Sequence, residues 1–220
     1  MAPDRQRRPG QTRIDVPKDH AALIVAEQVE FEFTVASGEF AFEIEVPGSR
    51  RRVLDFLTPG DMLATRVLHG LGACRLRAMQ DAQLVRESQT EKLDEHALSP
   101  ALLSGLERFA RRSILAQLVV ALEYVDQRVA SFLLLYARTH RPLPDSNDIE
   151  LTLGRDVVSD YILVNPDTLS RSYSRFRANG VLKRDKGTNL LITNHARLAA
   201  HTPIGALIAE VTGGSRALPV

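Results

Sequence analysis

From Ala21 to Val85 the pattern of apolar and polar side chains favours strands. The runs VEFEFTV (29–35) and EFAFEIEV (39–46) set Phe, Val and Ile against Glu, the mark of half-buried strands. Ala36-Ser37-Gly38 separates them, and Pro47-Gly48-Ser49 closes the second run. RRRVLDFL (50–57) predicts a further strand before the turn Thr58-Pro59-Gly60-Asp61, and CRLRAM (74–79) and AQLVRE (82–87) extend the series. Short strands broken by Gly and Pro turns imply a small roll, barrel or sandwich.

At Ser99-Pro100 the period changes. Serine as cap with proline at the first helical position starts a helix, and Gly105 is the only glycine before Tyr136. Leu102, Leu106, Phe109, Ile114, Leu118, Leu122 and Val125 recur along it as an apolar stripe. Such a stripe serves either as packing against the chain's own sheet or as a seam between two copies, and the length of the helix favours the seam. A second helix over 126–137 follows a bend near Tyr124, and HRPLPDSND (140–148) reads as a linker.

The segment 151–192 carries the densest local signal. Residues 155–161 suit a short helix, with the small Ser159 at a close approach. Asn165 as cap and Pro166 at the first position open a second helix over 166–178, closed by Asn179-Gly180. Leu169, Tyr173 and Phe176, spaced by four and three, form its anchoring face; Asp167, Ser170, Arg171 and Ser174 point away. A basic hairpin around Lys186-Gly187 follows. Helix, tight turn, Ser/Arg-rich helix and hairpin make the layout of a winged helix-turn-helix. Arg171 suits a paired hydrogen bond to guanine and Asp167 acceptance from a cytosine amino group, with Ser170 and Ser174 beside them. Arg155, Thr168, Arg175, Arg177, Lys183, Arg184 and Lys186 are the expected phosphate contacts, opposed locally by Asp185. An isolated helix of this composition is an ordinary charged surface. The caps, the turn and the hairpin occurring together favour DNA.

Composition adds limits. With 220 residues, 44% hydrophobic and 25% charged, the chain is of globular type, and its net charge of +1 makes the basic patch a local asymmetry. One cysteine excludes an internal disulfide and suits a reducing cytoplasm. No apolar run reaches the roughly 18 residues of a membrane span, and no secretory signal opens the chain. Residues 1–12 read as a disordered arm, solvated or touching DNA. The expected division is this arm, a sheet domain over 13–98, a helix and hinge over 99–138, and a DNA-binding domain with tail over 139–220.

LGRDVVSDYILVNPDTLSR (153–171), RVASFLLLYA (128–137), FTVASGEFAFEIEV (33–46) and RRRVLDFLTPGDML (50–63) are similar to segments of the CRP/FNR superfamily of bacterial transcription regulators. The resemblance covers about residues 33–198. It implies an α+β chain: an N-terminal β-roll, cupin-like and akin to cyclic-nucleotide-binding domains, then a dimerisation helix and a winged helix-turn-helix. The implied partners are an inverted-repeat operator, a second copy of the chain and RNA polymerase. Asp167 stands where the FNR and FixK branch has a base-contacting Glu, and Ser170-Arg171 matches that branch's Ser-Arg pair, implying TTGA-type half-sites. Leu163 takes the position of the family's turn glycine.

The sensor side departs from the family. Cyclic-nucleotide binders use a Gly-Glu step and an Arg, whereas GDMLATRVLHGLGACRLRAM (60–79) has no Glu and places Gly72 near the arginine position. Arg66 remains, and Arg75 and Arg77 read as surface charges on a strand. Cys74 alone cannot hold an iron–sulfur cluster; it is either a redox thiol or an inert buried one. His20, His69 and His96 are potential haem ligands or ordinary histidines. No H-x-H step of a metal barrel occurs, so neither enzyme activity, metal nor cofactor is expected. The competing reading is an effector-binding module in which DNA contact is secondary.

Overall fold

Alternation of inward apolar side chains builds the first half of the molecule. The computed structural model describes residues 11–24, 31–46, 48, 51–68, 70–71, 73–88, 100–140, 143, 146–184 and 190–212. The arm up to residue 10, Ser99, Gly72, His69, His96, Lys186, the tail from 213 and the side chain of Leu102 lie outside the described residues. Two compact units result, Met1–Ala110 and Arg111–Val220.

In the first unit β1 (Gln11–Val16), β2 (Ala21–Ile24), β3 (Phe31–Ser37), β4 (Phe40–Ile44), β5 (Arg52–Leu57) and β6 (Met62–Ala64) precede a 3-10 turn over Thr65–Leu68, then β7 (Cys74–Ala78) and β8 (Ala82–Ser88). They form two four-stranded antiparallel sheets, in the orders β1-β8-β3-β6 and β2-β7-β4-β5. Val16, Phe33, Val35, Leu63 and Leu84 of the first sheet share one core with Phe40, Phe42, Leu57, Cys74 and Leu76 of the second. This is the expected roll, with strand β1 opening at Gln11, two residues inside the stretch read as an arm. Strand β6 escaped the sequence reading because three residues are too few to display a period.

Gly38 makes the turn between β3 and β4 possible. Its φ is +80°, and an added Cβ would stand 2.4 Å from the Cβ of Ala82 at the start of β8. The backbone needs a residue without a side chain for both reasons.

Helix α1 spans Pro100–Ala121, and the chain breaks at Leu122–Tyr124 before α2 (Val125–Thr139), close to the bend expected at Tyr124. On α1 Phe109 meets Phe42 edge-on at 6.2 Å and joins the roll's core. Arg108 donates to the Gly60 carbonyl at 3.0 Å. Leu106, Leu122 and Val125 are half-buried, whereas Ile114 (59% exposed) and Leu118 are open. The fully buried positions are instead Leu115 and Val119.

The second unit continues with β9 (Ile149–Leu151), α3 (Arg155–Tyr161), α4 (Pro166–Ala178), β10 (Leu182–Arg184), β11 (Leu190–Ile192), α5 (His195–Ala200) and α6 (Gly205–Thr212). A three-stranded antiparallel sheet runs β10-β11-β9. The almost wholly buried α2 carries α4, α5 and α6 around it. Phe132 meets Tyr161 at 5.7 Å, Phe176 meets His201 at 5.3 Å, and Ser131 shares a buried 2.5 Å hydrogen bond with Thr202. Helices α5 and α6, absent from the sequence reading, thus complete the core of this unit. Gly38→Ala is expected to cost about 2–4 kcal/mol through overpacking and a strained φ. Urea denaturation checks it, and an unchanged midpoint would show that the β3–β4 turn relaxes freely.

Candidate nucleic-acid interface

Local chemistry sets the ends of the two helices that face outward. Helix α3 starts after Gly154, and Ser159 within it is buried, its hydroxyl donating to the Asp156 carbonyl at 2.9 Å. Asn165 caps α4: its side-chain oxygen accepts from the Asp167 amide at 2.8 Å, with Pro166 in the first turn. The turn between the helices holds Leu163 at φ +54°, the left-handed region, and leaves its side chain 53% exposed. The chain accepts a small strain where a glycine would be relaxed.

Leu169, Tyr173 and Phe176 are buried, as their spacing predicts. Asp167, Arg171 and Ser174 are exposed and Ser170 is half-exposed, on the face away from those anchors. Neither serine hydroxyl is idle. Ser170 donates to the Pro166 carbonyl at 2.9 Å while accepting from Arg155 Nη1 at 2.9 Å. Ser174 donates to the Ser170 carbonyl at 3.0 Å while accepting from Arg177 Nη2 at 3.0 Å. Both hydroxyls turn back onto their own helix and hold a flanking guanidinium in place.

Six of the seven expected phosphate contacts lie among the described residues, and they fall into different states. Arg155 and Arg177 bond to neutral hydroxyls, so their charge is uncompensated there. Arg184, like Arg171, is exposed and forms no ion pair among the described residues. Thr168 is half-buried. Lys183, by contrast, pairs with Asp148 at 2.5 Å. Arg175 pairs with Asp126, Nε to Oδ2 at 2.9 Å and Nη2 to Oδ1 at 2.5 Å. Ser172 adds a 2.6 Å bond to the same carboxylate. Hydrogen bonding from Arg175 holds the Asp126 carboxyl below the usual carboxylate range and raises the guanidinium in turn. Asp126 lies far from Arg175 in sequence, so charge spacing gave no hint of the pair.

Arg197 was also missed. From α5 its guanidinium donates to the Asn179 carbonyl at 2.7 Å, placing a cation at the C-terminal end of α4, where the helix dipole favours one. No signal near Asn179 betrays it, because α5 follows the hairpin.

On the roll, Arg75 and Arg77 are not the solvated charges expected. Both grip Glu43, whose side chain is only 4% exposed: Arg75 through Nη2 at 2.5 Å and Arg77 through Nε at 2.7 Å. Strand pairing sets Arg75 directly opposite Glu43 and Arg77 opposite Ala41, so both guanidiniums close on one carboxylate. Cys74 is fully buried, and burial pushes its thiol up, the environment of an inert cysteine. His20 is exposed beside the Lys18 carbonyl. Among the described residues no group of His, Cys, Asp or Glu could hold a metal ion, and no helix is long and apolar enough to cross a membrane.

A double-sheet roll followed by a long helix and a winged helix-turn-helix defines the class of this chain. Residues 127–201 match the family model described as a Crp-like helix-turn-helix domain. The nitrogen fixation regulation protein FixK of Bradyrhizobium diazoefficiens is 23% identical over 68% of this chain. The transcriptional activator protein FnrA of Stutzerimonas stutzeri is 27% identical over 70% of it. The matched stretch spans 65% of the length of each of these relatives. The structure of FixK2 from Bradyrhizobium japonicum shares the fold with a TM-score of 0.72 and 21% identity, covering 87% of this chain and 97% of that one. The chain is thus similar to transcription regulators of the CRP/FNR type, and residues 127–201 carry the match to a Crp-like helix-turn-helix domain.

Leu163→Gly is expected to stabilise the protein. A left-handed leucine costs about 1–2 kcal/mol, and the greater freedom of glycine in the unfolded chain returns roughly 0.5–1 kcal/mol of that. The urea midpoint should rise by the difference; a fall would mean that the half-exposed leucine contributes packing worth more than the strain.

Proposed function

We propose that this protein is a homodimeric, sequence-specific DNA-binding transcription regulator that reads an inverted repeat with TTGA-type half-sites. The observation that carries the reading is the outward face of α4: Asp167 and Arg171 stand exposed at its N-terminal half, flanked by the guanidiniums of Arg155 and Arg177. Arg171 reads guanine with a paired hydrogen bond, and Asp167 accepts from cytosine. Ser170 and Ser174 position the arginines beside them and present their hydroxyls at the same edge. Arg155, Arg177, Arg184 and Lys186 supply phosphate affinity. Arg175 and Lys183 stand outside that set, because each is tied to an acid.

Two copies joined along α1 would place two α4 helices about one turn of DNA apart, roughly 34 Å. The open Ile114 and Leu118 support that seam, since apolar side chains left out on a long helix are the surface a second helix covers. Phe109 serves its own roll as well. A regulator of this kind works in the cytoplasm, on DNA shared with RNA polymerase.

Arg171→Ala should cost about 1–3 kcal/mol on the cognate repeat and relax discrimination at one guanine. Lys186→Ala should weaken every sequence alike and flatten the salt dependence by about 0.9 in log–log slope. Titration of both variants against cognate and scrambled duplexes decides the roles; equal losses on both duplexes from both variants would reverse the assignment. Ile114→Glu should shift the protein from dimer to monomer in sedimentation equilibrium and abolish binding to the repeat while single half-sites bind as before. A variant that remains dimeric would move the seam elsewhere.

A further inference from the structure

Arg175 follows Arg171 by four residues and shares its stripe on α4, the position from which a cation would reach a phosphate beside the base-reading edge. The structure turns that cation sideways. Asp126, in the first turn of α2, takes Arg175 through two hydrogen bonds of 2.9 and 2.5 Å and takes the buried Ser172 through a third of 2.6 Å. Arg175 Nη2 also reaches Ser172 Oγ at 3.1 Å, closing a three-membered cluster. The acid is itself held in place. It follows the break at Leu122–Tyr124, where Arg128 Nε donates to the Leu122 carbonyl at 2.6 Å and the Gln127 amide to the Tyr124 carbonyl at 3.0 Å.

The neighbouring guanidiniums behave differently. Arg155 and Arg177 rest on serine hydroxyls and keep their charge for a polyanion. Among the described residues, Arg175 is the one arginine of α4 that is given a carboxylate. A free acid beside a phosphate-binding surface lowers affinity for every sequence, because attraction to random duplex is almost wholly phosphate electrostatics.

We propose that Asp126 is a positioning residue for the DNA-reading helix, which holds Arg175 away from the phosphates and so holds down affinity for random DNA. The inference rests on the DNA-binding reading above. Asp126→Asn preserves shape and an oxygen to accept from Ser172, but it releases the guanidinium. In fluorescence anisotropy with a random-sequence duplex and the full chain, this variant should bind several-fold tighter at low salt. Its slope of log affinity against log salt should steepen by about 0.9, the signature of one further phosphate contact. Arg175→Gln in that background should return the slope to the wild-type value, and Arg175→Gln alone should leave it unchanged, since the cation is already withheld. An unchanged slope in Asp126→Asn, a gain that survives Arg175→Gln, or a slope flattened by about 0.9 in Arg175→Gln alone would overturn the proposal. Wild-type protein that binds no duplex at all is a distinct result: it removes the DNA-binding reading, and this role with it.

Discussion

Everything on the outward surface of the helix-turn-helix depends on α4 burying one face while leaving the other bare. Leu169, Tyr173 and Phe176 fix the rod, and their burial decides which side chains remain outside. Removing three apolar side chains of this size from water contributes several kcal/mol, on the order of 1.5–3 kcal/mol each. Individual surface ion pairs contribute about 0–1 kcal/mol. Orientation therefore comes from the apolar anchors, and the polar groups tune what the exposed face presents. The rest of the second unit supports those anchors: α2 provides the packing surface, and His201, just beyond α5, closes over Phe176.

Within that frame the charges are sorted rather than simply accumulated. A count of Arg and Lys residues along 155–186 suggests a uniformly basic patch. The structure divides it. Guanidiniums held by hydroxyls keep their positions without losing charge, whereas Arg175 and Lys183 are tied to carboxylates. A hydroxyl fixes an arginine more weakly than a carboxylate does, but it leaves the charge for a phosphate to feel. The roll uses the second device at Glu43, where two guanidiniums close on one nearly buried carboxylate and the group is structural.

What the sequence displayed was local. The ends of α3 and α4 follow from signals within a few residues, the Asn165-Pro166 cap and the Asn179-Gly180 exit, and both helices lie where those signals put them. The strands of the roll were legible wherever alternation ran for five or more residues, in β3, β4, β5, β7 and β8. Pairings across long stretches of chain were not. Glu43 meets Arg75 only because β4 lies beside β7, and Asp126 meets Arg175 only because α2 packs on α4. No periodicity encodes either contact. Helices α5 and α6 were invisible for another reason: at six and eight residues they are too short to display a helical period, and Leu198 and Ile208 are buried singly against α2 rather than as a stripe.

Helix α1 shows how a correct pattern hides a second one. The sequence stripe through Ile114 and Leu118 is real in spacing, yet the residues fully buried within the chain are Leu115 and Val119, each one step further along. One residue is about 100° of rotation on a helix. Two stripes so related make an apolar face too broad for a single neighbour to cover: the chain's own packing takes Leu115 and Val119, and the flank through Ile114 and Leu118 is left over. On a solitary surface helix that flank would be polar, because open branched aliphatic side chains invite association. Its apolar character is the observation on which the proposed seam between two copies rests.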